Sequence, residues 1–263
     1  MRGRTRWVLS RPGGSADGAR VYCFPHSGGS PGEYVRWAAR LPGHQVRAVQ
    51  TPGRGSRMDE EPFTGMEALV DSLVSQVAFE EPFVFFGHSL GALVAYETAL
   101  ALRERGLPEP RALLLSGTAA PHTLRARPSL RGLAGTELVA AIERVYGPVP
   151  AELHEDPELR DLLLTGLRAD LEIVSGYRYR PRPPLSCPVT VLGGRDDEEP
   201  LDDLGAWRAY TTGPFDLRVF PGDHFYFREC PDEFFAFLDG ALAQSAARAV
   251  LGPGPVAAAH VLP

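Results

Sequence analysis

Short, almost continuously apolar β-type runs alternate with segments of helical spacing along most of this chain, and that alternation narrows the fold more than any other feature. The runs are RVYCF (20–24), QVRAVQ (45–50), FVFFG (83–87), RALLLSG (111–117), CPVTVLGG (187–194) and FDLRVF (215–220). Between them GEYVRWAARL, GMEALVDSLVSQVA, LGALVAYETALALRERG, DDLGAWRAYT and PDEFFAFLDGALAQSAARA place apolar residues three or four apart, the spacing of a single helix face. Strands buried on both faces read as unbroken apolar runs, whereas half-exposed strands alternate. The pattern therefore predicts an α/β fold, a mainly parallel sheet with helices on both faces.

One interval is too long for that rhythm. From Gly117 to Cys187 the chain runs well beyond what a single crossover helix needs, and Leu138, Ile142 and Val145, then Leu159, Leu163, Leu167 and Leu171, keep helical spacing through it. Residues 119–183 are expected to form a helical insertion over the sheet edge, a lid. The whole of 1–248 is read as one domain. The tail 249–263, rich in Ala, Gly and Pro and without periodicity, is expected to be disordered.

Composition removes several classes of function. A chain of 263 residues that is 44 % hydrophobic and 23 % charged can bury a large core, and its net charge of -6 lacks the basic excess of a nucleic-acid binder. No apolar run approaches the roughly 20 residues that span a bilayer, and MRGRTRWVLSRPGG is not followed by an apolar stretch of signal-peptide length. Neither nucleic acid nor membrane is expected as a partner, and the expected location is the cytoplasm. Cys23, Cys187 and Cys230 lack metal-ligand spacing and are odd in number, which fits reduced thiols rather than a disulfide framework or a zinc site.

The chemistry concentrates at GHSLG (87–91). This G-x-S-x-G pattern is weak alone, but here it ends a strand run and opens a helical run, the context of a sharp turn that thrusts Ser89 outward. A hydroxyl needs a base and a group that orients the base, and in this chain order both should follow it. VTVLGGRDDEEP supplies the acid on the turn after a strand. Asp196 is preferred to Asp197 because it falls nearer the strand end, Asp197 being read as solvated. LRVFPGDHFYF supplies His224 as the base, with Gly222 permitting the preceding turn. Oxyanion donors are expected at the backbone N–H of Leu90, directly after the nucleophile, and of Ser27 in CFPHSGGS, where Gly28 lets the backbone approach.

Together CFPHSGGS, TPGRGSR, FFGHSLGALVAYE, LRADLEIVSGYRYRPRPPLSCPVTVLGGRDD and FPGDHFYF resemble the type II thioesterases, stand-alone α/β-hydrolases that accompany polyketide synthases and nonribosomal peptide synthetases. The resemblance covers most of residues 20–230. It implies the α/β-hydrolase fold, a triad at Ser89, Asp196 and His224, a lid in the insertion, and no metal or redox cofactor. It also implies acyl or peptidyl carrier proteins as partners, with hydrolysis of stalled acyl groups from the phosphopantetheine arm; some members instead release products or intermediates. Ser27 stands where the family often has Ala, a change that preserves a backbone donor. The protein is expected to act as a monomer. The arginines of LRARPSLRG (124–132) and YRYRPRP (177–183) are candidates for carrier docking. An esterase acting on small molecules and a noncatalytic binding module are the competing readings.

Overall fold

The structure is a computed structural model that describes residues 6–11, 13–125, 132–133, 135–146 and 151–251. Its strands are β1 (Val8–Ser10), β2 (Arg20–Phe24), β3 (Gln45–Val49), β4 (Phe83–His88), β5 (Leu113–Ser116), β6 (Val189–Gly194) and β7 (Phe215–Phe220). They form a 7-stranded sheet in the order β1-β3-β2-β4-β5-β6-β7. Every neighbouring pair is parallel except β1 with β3. The helices are α1 (Pro31–Arg36), α2 (Met66–Gln76), α3 (Leu90–Glu104), α4 (Gly135–Tyr146), α5 (Glu152–Glu155), α6 (Pro157–Gly176), α7 (Leu201–Gly205), α8 (Tyr226–Glu229) and α9 (Pro231–Leu251).

The two faces of β4 explain why its sequence is apolar throughout. Successive side chains point to opposite faces of a sheet. Phe83 and Phe85 join a core with Leu69 and Leu73 of α2 and Leu93 and Tyr96 of α3. Val84 and Phe86 join a second core with Tyr34 of α1 and Phe234 and Leu238 of α9. Each such phenylalanine, buried, contributes about 1.5–3 kcal/mol. The aromatic rings interlock: Phe24 meets Phe85 edge-on at 4.9 Å, and Trp37 meets Phe86 likewise at 5.0 Å.

Helices α4, α5 and α6 occupy the long interval between β5 and β6. They carry a small core of their own, with Leu138, Val139, Ile142 and Leu164 buried and Leu167 and Leu171 packed beside them. The side chains of Val145, Leu159 and Leu163 lie outside the described residues. Near its C-terminal end α6 puts Ile173 into the main core, so the insertion is tied to the body through that helix. Helix α9 runs to Leu251, past the boundary expected at 248, and the rest of the expected tail lies outside the described residues.

Candidate active site

Strand order runs from β2 out to β3 and then returns to the other side of β2 with β4. The loops leaving the C-terminal ends of β2 and β4 therefore diverge, opening the crevice where such sheets bind ligands. Both glycine-bearing motifs fall at this point: CFPHSGGS follows β2, and GHSLG follows β4.

Ser89 occupies the turn between β4 and α3 with φ 54 and ψ -121, the one non-glycine residue at positive φ among those described. Positive φ is unfavourable for a side chain and persists where the surroundings over-determine it. Here Ser89 N–H donates to the Ser116 carbonyl at 2.7 Å, and Ala92 N–H donates to the Ser89 carbonyl at 3.0 Å. Gly91 has no room for a side chain, since a Cβ there would sit 2.0 Å from the Phe24 carbonyl oxygen and 2.7 Å from that of Pro25. That contact brings the loop after β2 against the first turn of α3. Leu90 opens α3, where N–H groups have no acceptor inside the helix.

The imidazole of His224 arrives from the loop after β7. Arg195 N–H donates to the Phe220 carbonyl and Asp196 N–H to the Gly222 carbonyl, at 2.8 and 2.9 Å, so the loops after β6 and β7 are zipped together. His224 Nδ1 then donates to Asp197 Oδ2 at 2.8 Å, with side-chain exposures of 12 % and 4 %. This corrects the acid expected at Asp196. The Asp196 backbone is spent on the inter-loop bond and the residue is exposed, while the next residue along the turn is directed inward. A carboxylate only accepts, so Nδ1 carries the proton and Nε2 is the nitrogen left to act as a base when the ring is neutral.

His88, fully buried, lies under this pair. Its ring centroid is 4.7 Å from that of His224, and a Cβ on Gly117 would meet His88 Cε1 at 2.6 Å and His224 Cε1 at 3.2 Å. His88 Nδ1 bonds Ser116 Oγ at 2.8 Å, and Ser116 Oγ bonds Tyr226 Oη at 2.6 Å. Burial, then the neighbouring His224 and His26, hold His88 well below the usual histidine range. Burial also lowers His26 to about 3, helped by Arg228 and His224. Both are thus neutral rings beside the base. Of the aromatic residues after His224, Tyr226 and Phe227 pack inward with α9, and Phe225 stacks under the Arg228 guanidinium.

In the loop after β2, Gly29 N–H closes a turn onto the His26 carbonyl at 2.8 Å, with Ser27 inside it. Gly28 N–H donates to Asp170 Oδ2 at 2.7 Å. Asp170 on α6 lies in the family-like stretch LRADLE, but nothing in that sequence tells it from Glu172, two residues on, as the carboxylate that turns inward. Each arginine of YRYRPRP has an internal partner. Arg178 donates to the Ser175 and Tyr177 carbonyls, Arg180 pairs with Glu67, and Arg182 pairs with Glu97 and Glu104. Arg125 is exposed and lies 3.4 Å from Asp203, and Arg127 is outside the described residues.

No group of three or more His, Cys, Asp or Glu among the described residues could hold a metal ion, and no described helix is long and apolar enough to cross a membrane. The three cysteines are unbridged, and burial pushes the Cys187 thiol up to about 12, away from the reactive thiolate.

A mainly parallel sheet with helices on both faces, a helical insertion after β5 and a serine on a strained turn at its switch point define an α/β-hydrolase fold. The chain belongs to the thioesterase domain family, whose model matches residues 19–242. It is 38% identical over 218 residues to the thioesterase PikA5 of Streptomyces venezuelae, covering 80% of this chain and 76% of that one. The structure of RedJ, a thioesterase of the prodiginine biosynthetic pathway in Streptomyces coelicolor, superposes with a TM-score of 0.78 at 37% identity and covers 85% of each chain. BorB, the type II thioesterase of the borrelidin biosynthetic cluster, gives 0.79 at 34% identity, covering 91% of this chain and 97% of its own. The chain is a hydrolase acting on thioesters.

Proposed function

We propose that this protein is an editing thioesterase that hydrolyses acyl groups from the phosphopantetheine arm of carrier proteins in polyketide or nonribosomal peptide synthesis, with Ser89, His224 and Asp197 as its triad. Cytoplasmic location belongs to the same reading. The observation that carries it is the bond from His224 Nδ1 to the nearly buried Asp197, on loops that leave the same end of the parallel strands as a serine held on a positive-φ turn.

Asp197 fixes the tautomer in which Nε2 can take the Ser89 proton. As the hydroxyl attacks the thioester carbonyl, the imidazolium that forms is steadied by the carboxylate. The N–H groups of Leu90 and Ser27 receive the oxyanion, each such donor being worth about 2.7–4 kcal/mol. The C–S bond then breaks and the departing sulfur takes the proton from His224, leaving as a thiol; with a thiol pKa of about 8.5 it leaves far more readily than an alkoxide, so acylation asks little of the general acid. Water, deprotonated by His224, next attacks the acyl-serine; the acid departs and Ser89 recovers its proton. No step draws on a metal or redox cofactor.

Ser89→Ala is expected to abolish hydrolysis of an acyl-carrier thioester, with circular dichroism and thermal unfolding unchanged. Turnover retained by the purified variant would overturn the assignment. Higher kcat/KM on acyl-carrier than on a matched simple ester is expected, and the reverse preference would favour an esterase.

A further inference from the structure

We infer that Asp170 of α6 is a positioning residue for the reaction, fixing the oxyanion turn after β2 from the insertion. The inference rests on the proposed donor role of Ser27. Both oxygens of the carboxylate are committed: Oδ2 accepts from Gly28 N–H at 2.7 Å, and Oδ1 accepts from Arg54 Nη2 at 2.7 Å. The Asp170 side chain is 7% exposed and that of Arg54 13%. A charge so buried costs several kcal/mol unless it is paired and hydrogen-bonded, and this one divides its bonds between two loops.

The bond to Gly28 falls at the peptide that matters. Residues 26–29 form a turn closed from Gly29 N–H to the His26 carbonyl, and Gly28, third in the turn, has φ 72. A turn with positive φ in that place differs from its commonest alternative chiefly by rotation of the central peptide, here the one joining Ser27 to Gly28. That peptide supplies the N–H that Asp170 accepts. Losing the acceptor frees it to rotate and loosens the turn whose first peptide, the one joining His26 to Ser27, carries the Ser27 N–H. Leu167, one turn earlier on α6, reinforces the register, since a Cβ on Gly28 would lie 3.2 Å from its Cδ1. Because Asp170 and Leu167 ride on the insertion, the oxyanion turn is set only while α6 is docked.

A merely structural ion pair and a positioning bond are separated by removing the charge from both partners. In Arg54→Leu with Asp170→Asn, the amide oxygen still accepts from Gly28; in Arg54→Leu with Asp170→Ala, nothing does. On a soluble acyl thioester, the alanine double variant should fall at least about tenfold below the asparagine double variant in kcat with KM within about threefold, a partial loss of one oxyanion donor. Equal kcat in the two would overturn the inference. Should the alanine variant fail to fold, amide exchange decides: Gly28 N–H should exchange slowly in the wild-type enzyme, and rapid exchange would overturn it. Failure here leaves wild-type turnover and its dependence on Ser89 intact, whereas failure of the thioesterase reading removes them.

Discussion

Asp197 is 4 % exposed and bonds the His224 ring at 2.8 Å, so its charge acts where water screens poorly. Asp197→Asn should put the ring in the wrong tautomer and lower kcat by about 10⁴, while Asp196→Asn should change it less than about twofold. Steady-state rates of the two variants on one acyl-carrier substrate check this, and the opposite order would return the role to Asp196. The placement of Ser89 after β4 and of His224 after β7 was legible from the sequence because each sits in a motif after a strand run. The choice between adjacent aspartates was not, since it depends on which way the turn after β6 rotates once its backbone bonds the His224 loop. A second prediction concerns His88, which faces His26, His224, Tyr226 and, farther off, Arg228. Its folded pKa is depressed, so below the unfolded value of about 6.5 the unfolded chain binds more protons and stability falls as pH falls. His26 acts in the same direction from about 6.5 down to its folded value of about 3. Each contributes a slope of about 1.4 kcal/mol per pH unit inside its window. Urea unfolding between about pH 7 and about pH 5 should show His88→Asn with a shallower pH dependence than wild type; an unchanged slope would mean His88 titrates normally in the fold.

At the scale of elements, the turn from β4 into α3 depends on close backbone approach. Gly91→Ala would place a methyl 2.0 Å from the backbone oxygen of Phe24, which cannot yield without parting β2 from α3. The variant should lose about 3 kcal/mol or more of stability, measured by chemical unfolding. A loss below about 0.5 kcal/mol would mean the turn relaxes freely. Strands β2, β4, β5 and β6 were readable because burial on both faces leaves each as a nearly unbroken apolar run, whereas β7, at the sheet edge, keeps Asp216 and Arg218 exposed. Strand β1 was not, because it is three residues long, antiparallel at the sheet edge and only partly buried. Helix α8 was hidden for a different reason: its 4 residues are too few to show helical spacing, and Tyr226 and Phe227 turn into the core with α9.

Across the whole molecule, the proposed chemistry gathers at the C-terminal ends of the strands and the insertion packs against one side of it through Asp170, so on the proposed function carrier recognition falls to the surrounding surface. Within YRYRPRP, Arg182 is held by Glu97 and Glu104 while Arg180 has only an exposed pair with Glu67; the described arginine of LRARPSLRG is the exposed Arg125. Its exposed contact with Asp203 contributes about 0–1 kcal/mol and is cheap to exchange for a partner's carboxylate. Arg125→Glu should lower kcat/KM severalfold for an acyl-carrier substrate and weaken its salt dependence, with hydrolysis of a small thioester unchanged. Equal effects on both substrates would exclude docking there. The central claim, that the crevice between the loops after β2 and β4 turns Ser89 into an acyl acceptor, is tested most directly by catching the intermediate. Wild-type enzyme mixed with acyl-loaded carrier protein, quenched in acid during turnover and digested, should yield the Ser89 peptide heavier by one acyl group. Steady release of acid with that peptide never modified would contradict the account.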